Sequence, residues 1–465
     1  MTLQLIAGQH VHFIGIAGTG LSAIARILIL RGYHVTGSDL RANTDTQYLA
    51  DLGATIYHGH DAVYVQGADF VIRSSAVKDT HVEVLAAQSQ HIPVYKRSDM
   101  IAAIMADKET IAVAGTHGKT TTTSMVSHVL IETDQDPSYI VGGAMANTGL
   151  NADVGQGRAF VIEADEYDNM FHGLTPQIAI ITSVEFDHPD FFKTPVDLIQ
   201  SFTHFVAQLS DDGLLICCID DPLTQSFAQK RHDLGLPVIT YGFNSAADWC
   251  AINIRYENNK TLYDVIVNDT VSGTVTLESP GKHNILNSLA ALIVADVYGV
   301  TFEDSSQALS TFKGTGRRFD VRAEINDIIV VDDYAHHPTA IVTTLDAARQ
   351  RYPQHDLWAI WQPHTFSRTA SLWDAYAAAF TEAHHVIVTD IYAAREKSED
   401  FPDITIPRLF ADMSHPDQHH FTTFDGIVSY LKQHVQSPAV ILIMSAGDAP
   451  EIGIEFIKRL KADMA

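Results

Sequence analysis

The sequence predicts an α/β protein of three modules, each a mostly parallel sheet with crossover helices. Three observations carry this. Short apolar strands alternate with helix-length amphipathic segments along the whole chain. The strand–turn–helix pattern starts afresh near His10, near Thr110 and near Ile328. The chain has 465 residues, 46% hydrophobic and 18% charged. At typical domain sizes that length makes about two to four domains, each with a core of its own.

The first start is His10-Val-His-Phe-Ile, a short strand. Gly15-Ile-Ala-Gly18-Thr19-Gly20 turns tightly into an amphipathic helix, Leu21 to Arg31, and Tyr33 to Asp39 is the next strand. The glycine spacing reverses the dinucleotide fingerprint, yet a diphosphate can lie on such a turn and the helix it opens. Asp39 ends the second strand, where a carboxylate commonly meets a ribose. A plain turn with a helix cap is the competing reading.

The second start is Thr110-Ile-Ala-Val-Ala, followed by Gly115-Thr116-His117-Gly118-Lys119-Thr120-Thr121 and a helix to Glu132. A glycine-rich turn frees backbone N–H groups for phosphate oxygens, Lys119 supplies a point charge, and Thr120 can ligate Mg²⁺. Val113 occupies the position of the usual first glycine. Apolar strands at Ala159 and Ile178 end in Glu163-Ala-Asp165-Glu166-Tyr-Asp168 and Glu185-Phe-Asp187-His188. Acids at the C-terminal ends of parallel strands point into the ligand crevice, and Glu163 with His188 is the expected metal set. Asn284 and Asn287, one turn apart, open a helix expected over Leu289–Tyr298 and can meet one planar base.

The polar link Lys313-Gly-Thr-Gly-Arg317-Arg318 precedes the third start, Ile328 to Asp333. A linker arginine can swing onto a transferring phosphoryl group. Asp332-Asp333-Tyr334-Ala-His336-His337-Pro gathers acids, a phenol and imidazoles in one loop. Gln362-Pro-His364-Thr-Phe-Ser-Arg368 offers a fork for a carboxylate, and Arg395 is a further candidate. Module boundaries are expected at 1–106, 107–314 and 315–465. The first and third modules read as Rossmann-like and the second as a P-loop-type ATPase with a mainly parallel sheet.

Net charge of −26 argues against a nucleic-acid partner. Cys217, Cys218 and Cys250 have no metal-site or disulfide spacing, which fits a reducing compartment. No secretory leader is legible, and Leu21 to Leu30 is too short to span a bilayer. The expected protein is cytoplasmic, binds no membrane, and is a monomer or homodimer.

Gly115-Thr-His-Gly-Lys-Thr-Thr-Thr, Glu163-Ala-Asp-Glu, Asp187-His188, His283-Asn-Ile-Leu-Asn287 and Asp332-Asp-Tyr-Ala-His-His-Pro together resemble the Mur ligases of peptidoglycan synthesis. The match is collinear from about Val11 to Asp448. Gln362-Pro-His-Thr-Phe-Ser-Arg-Thr and Asp390-Ile-Tyr-Ala-Ala-Arg-Glu resemble the branch that joins L-alanine to UDP-N-acetylmuramate with ATP and Mg²⁺. The resemblance implies that Gly15, Gly18, Thr19, Gly20, Asp39, His60, Ser74 and Ser75 hold the UDP-sugar. It assigns Gly115 through Thr121 to the phosphates, Asn284 and Asn287 to adenine, and Thr120, Glu163 and His188 to metal. Lys119, Glu163, His188, Arg317 or Arg318, Asp333 and His336 would serve the chemistry, and Tyr334, His336 and Arg368 the amino acid. Three features depart. Tyr167 and Glu185-Phe-Asp-His resemble a recycling ligase that attaches a preformed tripeptide. Thr365 stands where many members carry arginine. Pro195 to Leu209 lacks the lysine that sibling ligases carbamylate, as the alanine-adding branch does. The rival from another class is a nicotinamide-dependent oxidoreductase, against which the reversed glycine spacing and the second phosphate loop count. A non-catalytic nucleotide sensor is disfavoured by the full acid and metal set.

Overall fold

The computed structural model describes residues 5–74 and 76–462. Three sheets form, in chain order. The first holds β1 (His10–Ile14), β2 (His34–Asp39), β3 (Thr55–His58), β4 (Phe70–Arg73) and β5 (Val94–Lys96), all parallel, in the order β3-β2-β1-β4-β5. β1 lies between β2 and β4, so the winding reverses there, and a crevice opens at the C-terminal ends of the strands.

The central sheet has ten strands. They are β6 (Glu109–Ala114), β7 (Ser138–Ile140), β8 (Ala152–Asp153), β9 (Ala159–Glu163), β10 (Ile178–Ile181), β11 (Leu214–Cys218), β12 (Val238–Gly242), β13 (Trp249–Glu257), β14 (Lys260–Val267) and β15 (Thr270–Leu277). Their order is β15-β14-β13-β12-β11-β10-β6-β9-β7-β8. β6, between β10 and β9, is buried on both faces, as its unbroken apolar run requires. The antiparallel meander β13-β14-β15 extends the sheet. Its turns are Asn258-Asn259 and Asn268-Asp269, all at positive φ, which suits two-residue hairpins.

The third sheet holds β16 (Asp320–Ile325), β17 (Ile328–Asp333), β18 (Asp356–Trp361), β19 (His385–Val388), β20 (Gln418–His420) and β21 (Ala439–Met444), ordered β16-β17-β21-β18-β19-β20. Only the β16–β17 pair is antiparallel. Separate apolar clusters cover its two faces. The loops after β17, β18 and β19 meet those after β6, β9 and β10 across one cleft.

One expectation needs correction. The helix expected over Leu289–Tyr298 runs Lys282–Val297, so Asn284 and Asn287 lie inside it rather than before it. Gly281, at φ +92°, makes the turn that lets the helix start early. Among the described residues, no helix is long and apolar enough to cross a membrane.

Candidate active site

The site begins at the turn after β6. Gly115 has φ +133°, and a Cβ there would lie 2.1 Å from Thr182 Oγ1. Gly118 has φ +82°, and a Cβ there would lie 2.6 Å from Asn287 Oδ1. Both positions therefore require glycine. Gly118 caps the helix Lys119–Glu132, which aims its N-terminal dipole into the turn. Lys119 Nζ donates to the Gly115 carbonyl at 2.6 Å and to both oxygens of Glu166 at 2.9 and 2.8 Å. Burial alone would push this ammonium down. Glu166, then Asp165 and Glu163, hold it above the usual lysine value. Glu166 is 1% exposed and was not among the expected site residues, although it lies within the acidic run that was.

Thr120 Oγ1 donates to Glu163 Oε1 at 3.1 Å, and Glu163 Oε2 accepts from Gly142 N at 2.9 Å. Arg318 Nη2 reaches Thr120 Oγ1 at 3.2 Å, with its guanidinium 4.9 Å from the Tyr334 ring centroid. Arg317, whose guanidinium lies 5.1 Å from the same ring, makes no bond to Thr120. Its Nη2 donates to the Ser445 carbonyl at 2.5 Å while Nε lies 3.4 Å from Asp332. The adjacent pair is thus split, with Arg318 alone lining the cleft.

The cleft, about 810 Å³, is closed on its far side by the third module. Arg368 Nε donates to Asp187 Oδ1 at 2.7 Å, with both side chains under a tenth exposed. Burial would raise the Asp187 carboxyl, but the Arg368 guanidinium overrides it and holds it well below the carboxylate range. Arg368 also reaches His364 Nδ1 at 2.9 Å and His188 Nδ1 at 3.3 Å. His188 Nε2 faces Glu166 Oε1 at 3.8 Å, too long for a hydrogen bond. Burial and then Arg368 push His336 well below its ordinary value and His364 down to about 4, so both imidazoles are neutral near pH 7. Asp333, expected to face the reacting groups, spends both oxygens on the amides of Ala335 and Phe319, each at 2.7 Å. It shapes the loop that presents Tyr334 and His336.

Asn284 and Asn287 line the cleft, and their amides are partly committed. Asn284 Nδ2 donates to the Pro280 carbonyl at 2.7 Å. Asn287 Nδ2 donates to Asn284 at 3.2 Å, and its Oδ1 accepts from Thr122 at 3.1 Å. One hydrogen on each Nδ2 remains for a ligand.

The first module carries its own set at the crevice beyond β1–β4. Gly15 sits at φ +87°, and a Cβ there would lie 3.3 Å from the Ser74 Cβ. Thr19 and Gly20 begin the helix Thr19–Leu30 behind Gly18. Asp39 Oδ2 accepts from Ala17 N at 3.0 Å, so it shapes the glycine turn. His60 Nδ1 lies 3.0 Å from both Ser38 Oγ and Glu83 Oε1. Glu83, fully buried, was missed in the sequence; burial would raise its carboxyl, but bonds from His12 and Ser38 bring it below the usual value. Ser75 lies outside the described residues.

Three family models match in chain order: "Mur ligase family, catalytic domain" over 10–109, "Mur ligase middle domain" over 113–295, and "Mur ligase, glutamate ligase domain" over 317–447. The UDP-N-acetylmuramate–L-alanine ligase of Syntrophotalea carbinolica is 40% identical over 96% of both chains. The chain belongs to the Mur ligase family. Among solved Mur ligase structures, the UDP-N-acetylmuramate–alanine ligase of Thermotoga maritima superposes with TM-score 0.83 at 27% identity, covering 98% of this chain and 99% of that one. The murein peptide ligase of Psychrobacter arcticus gives 0.74 at 28% identity, covering 97% and 99%.

Two places in this Mur ligase invite a cation. At Thr120 and Glu163 the donors are a hydroxyl and a carboxylate, a hard oxygen set suited to Mg²⁺. A Cβ on Gly142 would lie 2.4 Å from Glu163 Oε2 and 3.0 Å from Thr120 Oγ1, so the absent side chain leaves the space an ion needs. His117, Glu185 and His337 also bring ligand atoms within 4.8 Å of one another. There, however, the His337 nitrogens are committed, Nδ1 to Thr339 N and Nε2 to the Phe186 carbonyl, both at 3.3 Å. That trio is better read as a latch between the glycine turn after β6 and the third module.

Proposed function

We propose that this chain joins L-alanine to UDP-N-acetylmuramate at the expense of ATP in the cytoplasmic assembly of peptidoglycan precursors. One observation carries it. The phosphate loop of the central module and the Tyr334–Arg368 loops of the third module line a single cleft. Residues 1–106 hold the UDP end, 107–314 the ATP, and 315–465 the amino acid.

The lactyl carboxylate attacks the γ-phosphorus, the β–γ bridging bond breaks, and ADP leaves with an acyl phosphate formed. The neutral amine of L-alanine then attacks the acyl carbon, phosphate departs, and the amine loses its proton. The loop N–H groups and Lys119 bind the phosphates, and Arg318 at Thr120 stands where a phosphoryl oxygen gathers charge. Thr120 and Glu163 would hold Mg²⁺, with His188 across from Glu166 as a further ligand, and the ion offsets charge on the transferred group. The Arg368–Asp187 pair and the His117–Glu185–His337 latch draw the modules together and keep water from the acyl phosphate. Neutral His336 faces the cleft and suits acceptance of the amine proton.

If a carboxylate oxygen becomes bonded to phosphorus, ¹⁸O placed in the lactyl carboxylate must appear in released phosphate. Phosphate free of label rejects the acyl-phosphate route. Gly142→Ala probes the metal cradle: its methyl should raise the Mg²⁺ concentration for half-maximal rate by about tenfold or more while ATP affinity at saturating Mg²⁺ holds. An unchanged Mg²⁺ requirement would remove the cradle from the site. A second reading, ligation of a preformed tripeptide, is favoured by the likeness to the Psychrobacter arcticus enzyme.

A further inference from the structure

The incoming amino acid brings an α-carboxylate that stays charged while its amine reacts, so the cleft must offer that carboxylate a cation. Four lysine and arginine side chains line it: Lys119, Arg318, Arg368 and Arg395. Lys119 is neutralised by Glu166, and Arg368 by Asp187. Arg318 stands at Thr120, the phosphate end. Arg395 has no hydrogen bond or ion pair among the described residues, and it is an exposed residue of the cleft lining.

The fold fixes where that free charge sits. The loop after β19 is stitched onto the loop after β18. Tyr392 N donates to the Pro363 carbonyl at 2.8 Å, and Thr365 N donates to the Tyr392 carbonyl at 2.9 Å. His364 and Tyr392 form an isolated parallel bridge with their rings stacked. Glu396 Oε2, next to Arg395, accepts from Phe366 N at 2.6 Å and Ser367 N at 3.0 Å, capping the short helix that carries Arg368. Arg395 is thereby held beside Thr365, on the wall that presents His364. Tyr167 and Asp190 line the same cleft, the Tyr167 hydroxyl donating to Asp190 at 3.0 Å.

We propose that Arg395 binds the α-carboxylate of the incoming amino acid, leaving Arg368 to its buried bond with Asp187. This rests on the amino-acid reading of the cleft and adds a cause of specificity. A free amino acid carries its carboxylate one carbon from the attacking amine. In a peptide substrate that carboxyl is an uncharged amide. An arginine fixed at this distance selects the free amino acid over the peptide, because an amide has no negative charge and only one acceptor oxygen for the guanidinium fork.

The test measures phosphate release by the full chain with ATP, Mg²⁺ and UDP-N-acetylmuramate, titrating L-alanine and, separately, L-alaninamide. Arg395→Gln should raise the KM for L-alanine about tenfold or more, as loss of one charge-assisted contact implies. The KM values for ATP and for the UDP-sugar should hold. The parent's preference for L-alanine over L-alaninamide should collapse in the variant. Thr365→Arg added to Arg395→Gln should recover part of the L-alanine affinity, since it restores a cation on the same wall. An unchanged KM for L-alanine overturns the proposal, as does a rise confined to ATP or the UDP-sugar, which would place Arg395 on a phosphate. A parent that releases no phosphate with L-alanine refutes the proposed function itself, a result distinct from any of these.

Discussion

Lys119→Met should abolish ligation while the chain still folds. The ammonium lies at the base of a turn whose glycines admit no side chain, where the proposed function puts the phosphate oxygens. A charged donor aimed at a transferring phosphoryl group contributes several kcal/mol, so turnover should fall by about a thousandfold or more. The variant also leaves Glu166 without its partner. Breaking a buried ion pair by removing one member costs about 3–5 kcal/mol. Lys119→Met with Glu166→Gln should therefore recover thermal stability but not activity, which separates the two roles. If the single variant turns over within about tenfold of the parent, the ammonium is not a phosphate ligand.

Asp187→Asn should be the most damaging change outside the phosphate loop. Its carboxylate takes the Arg368 Nε proton at 2.7 Å with both groups under a tenth exposed. Asparagine keeps the shape and removes the charge, so the guanidinium stays buried and uncompensated at a cost approaching about 3 kcal/mol. The pair also ties the loop after β10 to the loop after β18. Loss should therefore lower the melting temperature of the full chain and reduce kcat by about a hundredfold, as misplacement of a closing element does. Retention of both properties would show that the two modules do not depend on this bond.

The glycine turn after β6 was legible because all its parts are local: a strand, two obligatory glycines, a lysine and a helix. The charge partners were not. Lys119 meets Glu166 across 47 positions and Arg368 meets Asp187 across 181, and no local pattern reports such separations. The linker arginines could not be told apart in the sequence, because they differ only in distant partners, Thr120 for Arg318 and Ser445 for Arg317. The meander β13–β15 was missed although Asn258-Asn259 and Asn268-Asp269 are strong hairpin signals. The helix start at Lys282 was missed because a Gly281 at positive φ reads equally well as loop. In the first module the glycine turn was visible, whereas Glu83 behind His60 depends on tertiary packing.

Whether this cleft joins a free amino acid to a UDP-sugar carboxylate is open to one direct measurement. The direct measurement is phosphate release from ATP with UDP-N-acetylmuramate, comparing L-alanine with the preformed tripeptide at equal concentration. L-alanine should give phosphate and a ligated product, and the tripeptide at most a small fraction of that rate. Faster turnover with the tripeptide would contradict it and assign the chain to peptide recycling.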